Sequence, residues 1–353
     1  MKTSVSAGQL EDHVRKGNPV RNQSLRGAKL DAMNLGGGTF EKVDFSGASL
    51  KGTDLRECVF NECELRQVDL SEANLADAVV YACKLIRAVC RKADWANAAL
   101  TDSTLNRVNF EACNLKDANF AQSALHDCRF TEANIDFTTF LDCNLLRPNF
   151  SNTRLHRIVL YKADLRKARF AGASLYLSIL IEADLSDLDL HGLDFTLCQF
   201  MNADLSGVNL SEANLTQCNF EGAKLKRANL SGVQAPNALF TRANLSGAVL
   251  AQANLHQCLF NGAVLEKADL TGSSGRETQW TQAQCAGARF DHMDLTYADF
   301  SHADLSLCSF ESSTLMRANL HRILDEGAQL PDRKLAIGDD PTRLEAETWR
   351  PPV

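Results

Sequence analysis

Ala163-Asp164-Leu165-Arg166-Lys167 and, further on, Ala203-Asp204-Leu205-Ser206-Gly207 share one pattern: a small residue, an acid or its amide, Leu, then two variable residues. The pattern extends outward in both directions. Every fifth residue from Leu25 to Leu320 is Leu or Phe with only eight exceptions, and the register never slips. A repeat this regular governs the fold before local propensity does.

An α-helix advances about 100° per residue, so Leu at every fifth place would wander by about 140° per repeat and form no stripe. A straight strand fails too, because an odd repeat sends successive leucines to opposite faces. The chain must therefore turn within each repeat. If Ala163 and Leu165 point inward, Asp164 points outward and the last two residues turn a corner, every repeat shares one interior. Four corners close a coil of about 20 residues, and the next coil stacks at about 4.8 Å through parallel pairing. The span from Arg21 through Arg322 then makes about 15 coils and a rod roughly 70 Å long.

Folding the numbering at this interval aligns the lining. One column reads Leu165, Leu185, Leu205, Leu225, Leu245, Leu265; others carry Phe110, Phe130, Phe150, Phe170 and Phe200, Phe220, Phe240, Phe260. Burying each such side chain contributes about 1.5–3 kcal/mol, largely offset by chain entropy.

The Ala-(Asp/Asn)-Leu-x-x motif resembles the pentapeptide-repeat family over about 300 of 353 residues. The resemblance implies an all-β fold, a right-handed quadrilateral parallel β-helix; square section and handedness come from the family. Residues 1–20 are assigned to an N-terminal cap with a short helix, 21–322 to the solenoid and 323–353 to a tail with a short helix. Ser6 to Gln9 fits a capping box, Val5 and Leu10 a hydrophobic staple, and Gly17 with Pro19 a stop, which predicts a helix from about Ala7 to Lys16. Beyond Leu320 the pattern stops; Asp340-Pro341 reads as an N-cap followed by Pro at the first helical position, with Trp349 and Pro351-Pro352 after it. Leu344, Ala346 and Trp349 make a thin apolar face, so this helix is expected to dock on the last coil. Ala235-Pro236 and Ser273-Ser274-Gly275-Arg276 match worst and are expected to form local bends or bulges, with Gly275 leaving an inward slot empty.

The net charge of −7 with 23% charged residues is mildly acidic and argues against non-specific nucleic-acid binding. The absence of a long apolar run or signal-peptide core makes the cytoplasm the expected compartment, without membrane insertion. All twelve cysteines fall in inward slots, ten in the small one and Cys90 and Cys285 in the large one, and read as reduced packing residues. Cysteines one coil apart, such as Cys63 and Cys83, would sit about 4.8 Å apart, too far for a disulfide's Cβ atoms. The eight histidines share no ligand spacing, so no metal site is expected. Asp and Asn in the middle slot read as outward groups bonding the adjacent turn. With no phosphate loop or nucleophile elbow, no catalytic residue and no cofactor are assigned.

The outer faces say more. Around the corner numbered 19 to 1 at the 20-residue interval, apolar groups replace the usual Asn, Ser and Gly: Leu141, Val159, Tyr161, Ile179, Ile181 and Met201, flanked by Phe137, Tyr176, Leu177 and Leu197. Two readings stand: scattered exposures of the ordinary kind, or a patch that binds a protein partner or a second copy of the chain. A corner column of Arg87, Arg107, Arg147 and Lys167, interrupted by Asp127 and ended by Asp187, is a solvated rim or a surface for an acidic partner.

The family resemblance implies two roles. One is DNA mimicry, binding and inhibiting or protecting a type II topoisomerase such as gyrase; it predicts a continuous acidic stripe, whereas acids here are spread over several faces. The other is a non-enzymatic scaffold or adaptor acting through protein contacts. The ending Ala318-Asn319-Leu320-His321, Gly327, Pro331-Asp332-Arg333 and Asp339-Asp340-Pro341 also resembles pentapeptide proteins that accompany bacterial type VI secretion effectors, implying an accessory role.

Overall fold

The computed structural model describes residues 6–349. Its contacts define two compact units, the first ending at Asp184 and the second beginning at Leu185. In both, residues 20 apart pair in parallel. In the first unit Val20–Arg21 (β1), Thr39–Glu41 (β2), Val59–Asn61 (β3), Val79–Tyr81 (β4), Ala99–Thr101 (β5), Asn119–Ala121 (β6) and Thr139–Leu141 (β7) form one sheet in chain order, with Phe40 opposite Phe60 and Val80 opposite Leu100. Arg154–His156 (β8) and Ser174–Tyr176 (β9) form a second pair. Single-residue bridges at the same spacing hold the other sides, Ser24 to Asp44 and Asp54 to Asn74 among them. The second unit uses such bridges, including Asp189 to Asn209, Asp194 to Asn214, Gln199 to Asn219 and Asp204 to Lys224. Each unit is a right-handed quadrilateral parallel β-helix, with about eight coils in the first and about seven in the second.

The lining follows the period of five. Leu165, Leu185 and Leu205 are fully buried, while Asp164, Asp184 and Asp204 stay partly exposed. In the first unit Phe110, Phe130 and Phe150 stack with centroids 5.3 and 5.1 Å apart. In the second, Phe200, Phe220, Phe240 and Phe260 repeat at 4.9–5.0 Å, almost coplanar, and Trp280 closes on Phe260 at 4.1 Å. The second turn residue is left-handed whether it is Gly207 (φ 67°) or Arg227 (φ 56°). A non-glycine residue there costs about 1–2 kcal/mol, offset by a bond to the next coil such as Arg227 N to Ser246 O at 3.0 Å. The middle-slot side chains behave as expected: Asp94 Oδ1 accepts from Ala96 N at 3.1 Å and Asn229 Oδ1 from Ser231 N at 3.1 Å.

Small polar residues fit the interior because each finds a carbonyl 23 residues back. Thr53 Oγ1 donates to Leu30 O (2.8 Å), Thr138 Oγ1 to Leu115 O (2.8 Å) and Ser178 Oγ to Leu155 O (2.7 Å). Cysteine uses the same acceptor, Cys218 Sγ reaching Phe195 O at 2.9 Å. Eleven of the twelve thiols are buried and Cys143 is half-buried.

Three expectations are corrected. The ladder passes through both weak repeats without a bulge, pairing Gln234 with Asn254 and Ser274 with Asp294. Pro236 fits because the N–H at its position in neighbouring repeats bonds a middle-slot side chain, as Ser231 N does Asn229 and Ser246 N does Asn244, so no ladder bond is lost. The slot at Gly275 is filled rather than empty: a Cβ there would lie 2.9 Å from Met293 Cε and 3.0 Å from Leu295 Cδ2. Third, pairing continues past Leu320. Leu305 N donates to Leu324 O (2.7 Å), Phe310 N to Gln329 O (3.0 Å), and Asn319 bridges Ile337. Leu324 is exposed because it follows Gln284 and Asp304 in the outward middle slot.

The helix Ala7–Arg15 (α1) has the predicted capping box between Ser6 and Gln9, and buries Leu10 and Val14. Val5, the proposed staple partner, lies outside the described residues, as do Pro351 and Pro352. The helix Pro341–Thr348 (α2) is capped by Asp340, whose Oδ1 accepts from Thr342 N (2.9 Å) and Arg343 N (3.1 Å). It buries none of its residues, so apolar docking gives way to the polar clasp described below. Among the described residues no helix is long and apolar enough to cross a membrane.

Burial pushes the thiols of Cys58, Cys113, Cys128 and Cys258 up to about 12. Because the thiolate is the reactive form, a chromogenic thiol reagent at pH 8 is expected to modify the native chain only slowly and all twelve sites after unfolding in urea. Rapid native labelling of several cysteines would contradict this packing.

Candidate protein-binding surface

The side carrying most of the apolar residues is built by an unusual corner. At most corners the small-slot N–H closes the turn onto the large residue three back, as Ala98 N does to Trp95 O at 3.0 Å. After β3, β4 and β5 that N–H goes to the next coil instead: Cys63 N to Cys83 Sγ (3.2 Å), Cys83 N to Ser103 Oγ (3.1 Å) and Ser103 N to Ser123 Oγ (3.1 Å). The same side chains donate back to the strands, Cys83 Sγ to Tyr81 O (3.2 Å), Ser103 Oγ to Thr101 O (2.9 Å) and Ser123 Oγ to Ala121 O (2.8 Å). The corner stays open, and the residue after the large one joins the strand. Here the strand is centred on the large inward residue rather than on the middle slot the sequence suggested. Each strand then presents two outward side chains, as in the exposed–buried–exposed order of Val79, Val80 and Tyr81.

On this side Thr139 bridges Val159 and Val159 bridges Ile179, placing these residues in one column. Leu141, opposite Ala121, is exposed at 43%. Tyr161, Val159, Ile179 and Ile181 are half-buried, and Lys162 N bonds Ile181 O at 3.0 Å. At the neighbouring corner Phe137 is 42% exposed, with Arg157 5.0 Å and Lys116 6.0 Å from its ring centroid. Tyr176 packs edge-on to His156 at 5.8 Å, and Leu177 takes a left-handed turn position (φ 54°). Tyr161 carries Lys162 over its ring at 4.9 Å and donates to Glu182 Oε1 at 3.2 Å. Leu197 and Met201 belong to the second unit and are half-buried there.

The sequence reading missed Val79 and Tyr81, exposed at 43% and 47% on β4 in the same two columns. Extending the columns toward the N-terminus would have found them. The first unit therefore carries large apolar outward residues on this side at β4 and again from Leu141 to Ile181, with Ala99, Thr101, Asn119 and Ala121 between them.

A second cluster was invisible in the sequence. His321, fully buried, accepts from Asp340 N at Nδ1 (3.2 Å), which leaves Nε2–H to face Glu347 Oε2 at 3.3 Å. His302 Nε2 lies 3.4 Å from Glu347 Oε1, and Arg343 Nε (3.0 Å) and Arg322 Nη1 (3.1 Å) bind the same carboxylate. Among the described residues His302, His321 and Glu347 form the grouping that could hold a metal ion. With a guanidinium already on each carboxylate oxygen, we read it as an ionic clasp that holds α2.

Models of the pentapeptide repeat region match residues 33–110 and 103–178, and models of pentapeptide repeats in eight copies match residues 178–217, 203–242, 238–274 and 283–322. The chain belongs to the pentapeptide repeat family. Among solved structures it is similar to HetL, a pentapeptide repeat protein involved in heterocyst differentiation regulation from the cyanobacterium Nostoc sp., at 26% identity over 73% of this chain and 96% of that one, with a TM-score of 0.23. It is also similar to full-length QnrB1, a plasmid-mediated fluoroquinolone resistance protein, at 21% identity over 56% of this chain and 99% of that one, TM-score 0.29. A pentapeptide repeat protein of the Arabidopsis thaliana thylakoid lumen matches at 23% identity over 44% and 82%, TM-score 0.15. Scores of this size carry no argument about a shared role. No curated protein matches the sequence.

Burial opposes ionisation of Glu347, but Arg322, His321 and Arg343 outweigh it and hold the carboxyl down to about 2. A lowered carboxyl stabilises the folded form above its ordinary value of 4.5 and loses that contribution as pH falls toward 2. Amide exchange across 341–348, corrected for its intrinsic pH dependence, is therefore expected to accelerate as pH falls between these two values; unchanged protection across this range would contradict the clasp.

Proposed function

We propose that the protein is a non-enzymatic scaffold or adaptor that works in the cytoplasm through protein contacts on its outer faces. One observation carries this reading: the apolar side of the first unit, where Val79, Tyr81, Leu141, Val159, Tyr161, Ile179 and Ile181 stand on columns that solvent-facing repeats fill with Asn, Ser and Gly. Pentapeptide repeat proteins are generally structural and interaction proteins, and an uninterrupted register leaves no inserted loop to make a lid over a reaction site. Twelve cysteines in the thiol form, none in a disulfide among the described residues, suit a reducing compartment.

The surface suits docking for a physical reason. Val79 and Tyr81 stand on a strand extended by an open corner, whereas Tyr161 and Ile181 sit on closed turns, with Ala163 N bonded to Leu160 O (3.4 Å) and Ala183 N to Leu180 O (3.2 Å). In both cases the backbone is already fixed by the coils, so little chain entropy remains to be lost on binding. The partner is another protein or a second copy of this chain. A place beside a type VI secretion effector is the finer form of this reading; its support is the residue pattern between Ala318 and Pro341, and co-purification with a secretion spike or effector tests it. The topoisomerase reading is the weaker alternative, since the one long Asx column alternates Asn34, Asp54, Asn74, Asp94, Asn114 and Asn134 rather than running acidic.

The double variant Tyr161→Asp and Ile181→Asp is expected to weaken partner capture, or to abolish a dimer in sedimentation, by at least tenfold while leaving the unfolding midpoint in urea nearly unchanged. Undiminished capture by the folded variant would remove this surface from the function.

A further inference from the structure

A second feature of the first unit lies off the apolar columns and owes nothing to them. Arg66, Arg87, Arg107, His126, Asp127 and Arg147 line a cleft of about 550 Å³ that runs across successive coils. The 20-residue register stacks Arg87, Arg107, Asp127 and Arg147 in one corner column, so like charges are held about 4.8 Å apart along it by the backbone. Within the column only Asp127 is anionic. Arg147 grips it with two bonds, Nε to Oδ1 at 2.7 Å and Nη2 to Oδ2 at 2.9 Å, and Arg107 Nε lies 3.7 Å from Oδ2. Outside the column, Arg66 shares Glu64 with Lys84, at 2.9 and 2.6 Å. Among the described residues Arg87 has no carboxylate in ion-pair range. Three guanidiniums against one carboxylate leave a surplus of two positive charges facing the cleft.

His126 adds an independent sign. Its Nε2 is covered and has no hydrogen-bond partner among the described residues. Its backbone N–H is held by Asn106 Oδ1 at 3.0 Å, and the residue lines the cleft. A covered polar nitrogen without a partner is unfavourable, and an anion in the cleft offers it an acceptor.

We propose that this cleft is a binding site for a phosphate dianion, free or carried as an ester on a small molecule. The charge surplus equals that of phosphate near neutral pH. Guanidiniums present paired N–H donors that match its oxygens, and the volume lies within the usual range for small-molecule sites. A carboxylate is the poorer match: as a monoanion it would balance only half the surplus, the part Asp127 already plays for Arg147. The site needs no catalytic step and no metal.

Calorimetric titration of the full chain with inorganic phosphate, and separately with glycerol 3-phosphate, tests this at low ionic strength with chloride at matched ionic strength as reference. Saturable binding of one phosphate per chain is expected. Tighter binding of the ester assigns a phosphorylated small molecule, and tighter binding of the inorganic ion assigns free phosphate. Arg87→Gln with Arg107→Gln is expected to weaken binding at least tenfold, Arg87→Gln alone to weaken it severalfold, and Asp127→Asn to tighten it severalfold by releasing Arg147 and Arg107 to the ligand. Lys224→Gln, on the second unit, is expected to change nothing. No binding beyond matched chloride, unchanged affinity in the folded arginine variants, or an Asp127→Asn protein that binds no tighter would overturn the proposal.

Discussion

Parallel backbone pairing between residues 20 apart is the constraint on which everything else rests. It places each side chain directly over its counterpart one coil away, so every property of a position is repeated along a column. Inside, this turns Phe200, Phe220, Phe240 and Phe260 into a stack with centroids 4.9–5.0 Å apart. Outside, it turns single apolar or charged residues into faces. The packing of the lining and the patterning of the outer faces are both consequences of that one register.

Because the interior is narrow, its tolerance is set locally. A deviation at one inward slot is absorbed by a neighbour, as Met293 and Leu295 occupy the space left by Gly275. Polar groups are admitted where a carbonyl of the preceding coil can receive them, which is why Ser, Thr and Cys share the small slot. The same side chains decide the outer surface. Where Cys83, Ser103 and Ser123 take the N–H that would close a turn, the corner opens and its neighbour becomes an outward strand residue. An interior hydrogen-bond ladder thus shapes the exterior at β3, β4 and β5.

The sequence alone was enough for the coil length, the inward and outward slots, the α1 capping box and the Asp340 cap, because each depends on contacts within one repeat or at a fixed multiple of it. It was also enough to find most of the apolar columns, although Val79 and Tyr81 escaped because their coils otherwise look ordinary. What only the tertiary structure decided involves groups whose sequence separation carries no period. Glu347 meets His302 and His321 because a helix beyond the repeats folds back on the solenoid, and no spacing encodes that. His126 and arginines of several coils come to line one cleft only because the coils stack. Periodic contacts can be read from a string of residues; contacts made by bond angles, corner geometry and side-chain reach exist only once the coils are stacked.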